Sequence, residues 1–393
     1  MRREVVIVYA KRTPIGKMCG SLSQIAAPKL GAALVANALK ETALSSDEVD
    51  EIILGNILQC AVGQAPARQA AIYGGLSDSV RATTVNRVCG SGLKAVVMGV
   101  QSILLEEAKV VFAGGMENMS LAPHFMRSSR AGAKFGTAEM EDHILADGLT
   151  DPFSGNVMGK IAENCASEFG FTREMQDEYA IQSYEKASQA IKSGRFKGEI
   201  AGVEVSVKKE KKLIDTDEGP SAFDAAKIRS LKPAFCEGGT ITAGNASSLA
   251  DGAAMFVLMD GDEARRRGIK PVARILGYAS HAQKPSWFTT APAPCIRKLF
   301  NKTGLKAEDV DLFEINEAFS CVTMAAMKEL SLPAAKVNIH GGAVALGHPL
   351  GATGARIVVT LVNALSHSGK SRGVASLCIG GGEAEAIMIE MIK

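Results

Sequence analysis

The chain has 393 residues, 47% apolar and 22% charged, with 44 basic against 42 acidic side chains and a formal net charge of +2. That composition excludes a disordered chain, and the near-neutral charge removes the electrostatic ground for non-specific nucleic-acid binding. The length supplies two or three domain-sized units with large cores, and no apolar run reaches the roughly 18 residues of a membrane span. Met1-Arg2-Arg3 leads into a strand signal too short for a signal-peptide core, and Met391-Ile392-Lys393 is no sorting tripeptide. Eight cysteines without a C-x-x-C pair make no disulfide scaffold, so a reducing cytoplasm is expected, with free thiols available for chemistry.

In chain order, apolar β-runs alternate with helical patterns. Residues 5–8 read as a buried strand, 29–42 as a helix, 51–54 as a strand, 93–107 as a helix and 110–113 as a strand. Strands at 312–315 and 374–378 and a helix at 354–365 follow. This is the pattern of an α/β fold with largely buried sheets. An internal repeat runs through it: Thr42, Leu44, Val49 and Asp50 recur 261 residues on as Thr303, Leu305, Val310 and Asp311, and Gly90 meets Gly351. The segment 120–246 has no counterpart in the second half and reads as a long insertion that shapes a substrate site. Its lysine run, 208–212, reads as a solvated loop or as an attractor for anionic substrate.

Four segments carry the residue types of acid–base and nucleophilic chemistry. In Asn86-Arg87-Val88-Cys89-Gly90-Ser91-Gly92, a cysteine stands just before a helix, where the dipole is expected to depress its pKa. Alone, such a cysteine reads equally as an inert core residue. In Glu314-Ile315-Asn316-Glu317, an amide between two carboxylates suits positioning of water or carbonyl oxygen, or a helix N-cap at Asn316. The run from His340 to Gly354 has the G-x₄-G spacing of a phosphate loop, but His348-Pro349 stands where Lys-Ser/Thr is required. His348, clamped between glycine turns, suits a general base, and His340 reads as structural. Cys378-Ile379-Gly380-Gly381-Gly382 places a second thiol beside a glycine turn whose N–H groups suit an oxyanion.

With Gly114-Gly115-Met116-Glu117-Asn118-Met119 and Thr242-Ala243-Gly244-Asn245-Ala246-Ser247, these segments closely resemble the thiolases, biosynthetic type, over essentially the whole chain. The resemblance implies a thiolase-like fold of two similar α/β halves, 1–268 and 269–393, with mixed sheets between helices and a loop domain inserted in the first at about 120–246. It implies reversible Claisen condensation of two acetyl-CoA to acetoacetyl-CoA and CoA. Cys89 would be the acylated nucleophile, His348 its base and an enolate ligand, and Cys378 the acid/base. Asn316 would act through a water, and the N–H groups of Cys89 and Gly380 would form the oxyanion hole. Coenzyme A contacts fall on Ser247, Ala243, Gly244, Ala318 and Phe319, with Met158, Val157 and Phe235 about the acyl group and Arg229 near the phosphates. No metal or redox cofactor is needed, coenzyme A thioesters being the substrates, and a homotetramer is expected.

The chain departs from the family where many biosynthetic members have His-Met-Gly and it has Val157-Met158-Gly159, and again at Phe288-Thr289-Thr290-Ala291-Pro292. Valine makes the pocket less polar and puts chain length in question, since a methylene is worth about 1–3 kcal/mol of discrimination. The tyrosine that helps bind potassium in some relatives is not evident at 217–222, so no such ion is expected. The alternatives are a broad-range 3-ketoacyl-CoA thiolase of β-oxidation and, more distantly, a non-catalytic acyl-CoA or lipid carrier. Asn316, where degradative relatives often have His, favours the short-chain activity. Retention of both thiols and His348 speaks against the carrier.

Overall fold

The computed structural model describes residues 3–132, 134–207 and 210–392. The main strands are β1 (Val5–Arg12), β2 (Glu51–Gly55), β3 (Arg81–Val85), β4 (Val110–Asn118), β5 (Ala250–Asp260), β6 (Ala273–Ala282), β7 (Leu312–Ile315), β8 (Arg372–Ile379) and β9 (Glu383–Met391). The first half runs β3-β2-β4-β5-β1 across its sheet, and the second runs β7-β8-β9-β6. In both, the outer strands are parallel and the inner ones antiparallel. The repeat is therefore structural: β1, β2, β4 and β5 correspond to β6, β7, β8 and β9. The halves join edge to edge through the pairs Val6–Arg274 and Ile7–Ala273.

The matched residues do matched work. Asp50 accepts from the N–H groups of Lys109 and Val110 at the start of β4, and Asp311 accepts from those of Ser371 and Arg372 at the start of β8. Thr42 and Thr303 both hydrogen-bond back to the carbonyl four residues earlier. Each of those helices then ends in a left-handed residue, Ala43 or Gly304.

Helices α1 (Ala27–Thr42) and α2 (Pro66–Tyr73) cover the outer face of the first half. Helix α3 (Ser91–Leu104) lies between the halves. The excursion between β4 and β5 contains α4 (Met158–Phe169) and α5 (Arg173–Lys192). Helices α6 (Pro292–Thr303) and α7 (Ser320–Leu330) cover the outer face of the second half, and α8 (Leu350–Ser368) lies beside α3. Being sandwiched between two sheet halves, α8 is apolar nearly all round up to Leu365, as a buried helix must be, and only its last turn is exposed.

The expected strands all lie within observed ones. The helix expected at 93–107 ends at Leu104, since Glu106 adopts φ 67°. The helix expected from 354 begins at Leu350, because its glycines serve close packing rather than interrupting it. A Cβ on Gly92 would lie 2.8 Å from the Gly351 carbonyl oxygen, one on Gly354 would lie 2.5 Å from the Leu93 nitrogen, and one on Gly115 would collide with the same Gly351 oxygen. The backbones of α3, β4 and α8 thus meet in direct contact, which no side chain at these positions would allow. This contact brings the cysteine loop before α3 against the histidine loop before α8. Among the described residues, no helix is long and apolar enough to cross a membrane, and all eight cysteines are unpaired.

Candidate active site

Cys89 sits in a tight loop between β3 and α3. Asn86 Oδ1 accepts from the Val88 N–H at 3.0 Å, while Ser91 Oγ accepts from the Arg87 N–H at 2.8 Å and donates to the Val88 carbonyl at 2.7 Å. These bonds hold Val88 at φ 45°, a strained setting for a β-branched residue. Arg87 then reaches into the other half, 2.8 Å from Glu383 and bonded to buried Glu385, which also accepts from Ser280. The Cys89 loop is thereby tied to β9, directly after the glycine turn that follows Cys378. Sequence reasoning saw Arg87 in the motif but had no signal for its partner, nearly three hundred residues away.

His348 is almost fully buried, after Gly347 at φ 108°, and its N–H donates to the Ser248 carbonyl at 2.9 Å. Its Nδ1 lies 2.6 Å from Thr353 Oγ1, whose own hydrogen goes to the Pro349 carbonyl at 3.0 Å. A hydroxyl has one hydrogen to give, so Thr353 accepts from His348 and the ring proton resides on Nδ1. Nε2 therefore carries a lone pair, and it is buried without a partner. Burial, then the charge of Arg356, push the imidazole pKa down to about 3, so the ring is neutral at physiological pH.

The dipole expectation for Cys89 is corrected here. Burial outweighs the helix N-terminus and pushes the thiol up to about 11, although the N–H groups of Gly380 and Cys89 itself favour the thiolate. Cys89 is a neutral thiol that needs a base rather than a standing thiolate. Cys378, buried at the end of β8, is raised well above its ordinary value by burial and then by its neighbour Cys89. We expect alkylation of Cys89 by iodoacetamide, followed by mass spectrometry, to quicken from pH 7 past pH 9, because thiolate accumulates throughout that range. A plateau below pH 8 would instead reveal a thiolate–imidazolium pair.

One cavity of about 560 Å³ is lined by Cys89, His348, Cys378 and Gly380 together with much of the expected binding set. Val157, Met158, Phe235, Ala243, Ser247, Ala318 and Phe319 all line it. Phe319 packs edge-on between Phe235 and Phe288, with ring centroids 6.1 and 6.3 Å away. Phe288, from the second departure, also faces the cavity.

Three expected residues stand apart from it. Asn316 is buried behind the wall at the end of β7; it does not cap a helix, since α7 begins only at Ser320. Gly244 packs under 228–231, where a Cβ would meet Leu231 at 2.9 Å. Arg229 is exposed and paired with Glu178 at 3.0 Å. Of the lysine run, Lys208 and Lys209 lie outside the described residues. Lys211 is on an exposed strand, 3.1 Å from Glu204, in a ladder packed on the α1 side of the molecule. His340 is half-buried, edge-on to Phe196 and away from the cavity, which agrees with a structural role.

Two buried carboxyls support the site from behind. Glu117 accepts from Asn56 Nδ2 at 2.6 Å and from the N–H groups of Ile57, Leu58 and Gly351, tying the start of α8 to the first half. Burial still pushes it up to about 7. Glu317 accepts from Tyr179, Ser183, Asn338 and the Val344 N–H, so it knots α5 of the excursion to the second half. Sequence spacing flagged Glu317 without revealing this; Glu117 and Thr353 stand inside quoted motifs that gave neither a role, and Ser248 carried no signal.

Two like α/β halves with two thiols and an imidazole at their junction define one class of protein. The chain matches the thiolase N-terminal domain over residues 5–262 and the thiolase C-terminal domain over 269–391, and it belongs to the thiolase family. It is 48% identical to acetyl-CoA acetyltransferase 2 of Arabidopsis thaliana, over 99% of this chain and 98% of that one. It is 46% identical to the acetyl-CoA acetyltransferase of Escherichia coli K12 over the full length of both. The crystal structure of the Bacillus anthracis acetyl-CoA acetyltransferase superposes with a TM-score of 0.97 at 40% identity, covering 100% of this chain and 99% of that one.

Proposed function

We propose that the protein is an acetyl-CoA C-acetyltransferase that joins two acetyl-CoA into acetoacetyl-CoA and CoA by ping-pong transfer through Cys89, and runs the same steps in reverse as thiolysis. The observation that carries this reading is the meeting of two thiols and one unprotonated, unpartnered imidazole nitrogen in a single cavity.

The neutral resting groups permit a closed proton cycle. His348 Nε2 takes the Cys89 proton as the sulfur attacks the first thioester, and the departing CoA thiolate takes the proton of Cys378. The enzyme then holds acetylated Cys89, an imidazolium and the Cys378 thiolate. A thiol whose pKa is raised makes a strong base once ionised, which suits removal of a proton from the methyl carbon of the second acetyl-CoA. The enolate attacks the Cys89 acetyl group, and the released Cys89 sulfur recovers its proton from His348. Every group returns to its starting state.

In this reading the two amides that favour the Cys89 thiolate, those of Cys89 and Gly380, also hold the tetrahedral oxyanion. Such donors contribute roughly 3–4 kcal/mol each. His348 and, through a water, Asn316 serve the enolate oxygen. Val157, Met158 and Phe235 surround the acyl group, and Ser247, Ala243, Ala318 and Phe319 the pantetheine arm, with Gly244 supporting their loop. Arg229 serves the phosphates only outside the cavity mouth. The cycle needs no metal or redox cofactor. The protein acts in the cytoplasm as a homotetramer in this reading.

The deciding assay is CoA-dependent cleavage of acetoacetyl-CoA beside a ten-carbon 3-ketoacyl-CoA. A strong kcat/KM preference for acetoacetyl-CoA is expected. Equal or better cleavage of the long chain would move the enzyme to fatty-acid degradation and mean that the altered pocket matters.

A further inference from the structure

Helix α8 is apolar except for one stripe. Thr353, Arg356 and Thr360 follow at intervals of three and four residues, share a face and are all buried. Thr353 fixes His348, and Thr360 donates to Glu199 at 3.0 Å, itself bound to Arg12 at 2.6 Å. Arg356 lies between them, 1% exposed. Its Nη2 donates to Asn316 Oδ1 at 3.4 Å, while Nε and Nη1 have no partner. Among the described residues no carboxylate oxygen lies within 4.0 Å of it, in contrast to Arg12, which is paired with both Glu199 and Asp217. Burying an unpaired cation costs several kcal/mol, so nothing in fold stability accounts for it.

The neighbouring carboxyls Glu314, Glu317 and Glu199 favour that charge, but none of them is bonded to it. Glu314, on β7, is pushed up to about 8 by burial and so retains its proton at neutral pH. A guanidinium only donates, so it fixes the Asn316 amide with Oδ1 toward itself. Nδ2 is thereby turned away, buried and unpartnered, as is His348 Nε2.

We propose that Arg356 is a positioning residue for the carbon–carbon step: it sets the orientation of the Asn316 amide and places positive charge behind Asn316 and His348, where the thioester oxygen of the second acetyl-CoA becomes an enolate. This rests on the acetyltransferase reading above. It separates the two half-reactions, because Cys89 acetylation forms no enolate.

The test compares Arg356→Gln and Arg356→Lys with the parent in two assays on the full-length protein. One is acetylation of Cys89 by acetyl-CoA, read by mass spectrometry; the other is exchange of acetyl-CoA methyl protons in deuterated water, read beside condensation. For Arg356→Gln, acetylation stays within a few-fold while exchange and condensation fall together by roughly 100-fold, the scale of one lost transition-state donor. Arg356→Lys, retaining the charge, recovers part of the loss. Equal loss in both assays would make Arg356 merely structural, and no loss in either would remove it from the mechanism. If the glutamine variant does not fold, the lysine variant decides by the same ratio of exchange to acetylation. A parent enzyme that forms no acetyl adduct would overturn the acetyltransferase reading instead.

Discussion

Replacing Cys89 with alanine is expected to abolish the acetyl adduct and to lower condensation by about 10⁴-fold or more, the scale seen when a nucleophile is removed from a unit that works as a whole. The substitution is sterically mild, for Cys89 is half-buried at the cavity surface and its loop is held by Asn86, Ser91 and Arg87 rather than by the sulfur. The variant therefore folds, with an unchanged melting temperature to within a few degrees. Mass spectrometry after incubation with acetyl-CoA is the check. An adduct on the alanine variant would place the nucleophile elsewhere, and Cys378 would be the first alternative.

Cys378→Ala separates the two half-reactions. Acetyl-CoA still acetylates Cys89, since His348 and the amides of Cys89 and Gly380 are untouched, although more slowly because the departing CoA thiolate loses its proton donor. Condensation falls by about 10²–10⁴-fold, the range for a lost general acid–base, because no other group is positioned to take the methyl proton. Quantifying adduct and acetoacetyl-CoA in the same reaction distinguishes these effects. Condensation at the parent rate would refute the base assignment, and loss of the adduct as well would mean that Cys378 is essential to acylation. The size of the effect follows from burial. Cys378 is 1% exposed, so bulk solvent does not substitute for the base.

Much of this protein is determined locally, by sequence. The apolar runs of β1, β2, β4, β7 and β8 are continuous because both faces of those strands are covered, which makes them readable without a fold. The repeat is readable because Asp50 and Asp311, and Thr42 and Thr303, perform the same local hydrogen bonding 261 residues apart. Cys89, His348 and Cys378 are conspicuous because each stands in a glycine-rich turn, and glycine is the residue a chain requires where backbones touch.

What the sequence did not determine is set by partners distant along the chain. The Cys89 pKa was expected to fall from its place before α3, yet it rises because two halves and an excursion close over it. His348 is held by the carbonyl of Ser248, from the far end of the excursion, and the Cys89 loop is held against β9 by Arg87. Arg356 reads as an ordinary helix residue until α8 is buried on every side and its charge is left without a partner. Local hydrogen bonds and hydrophobic period act over a few residues and are written in order. Desolvation and charge depend on everything within several ångströms, and only the packed structure supplies those neighbours.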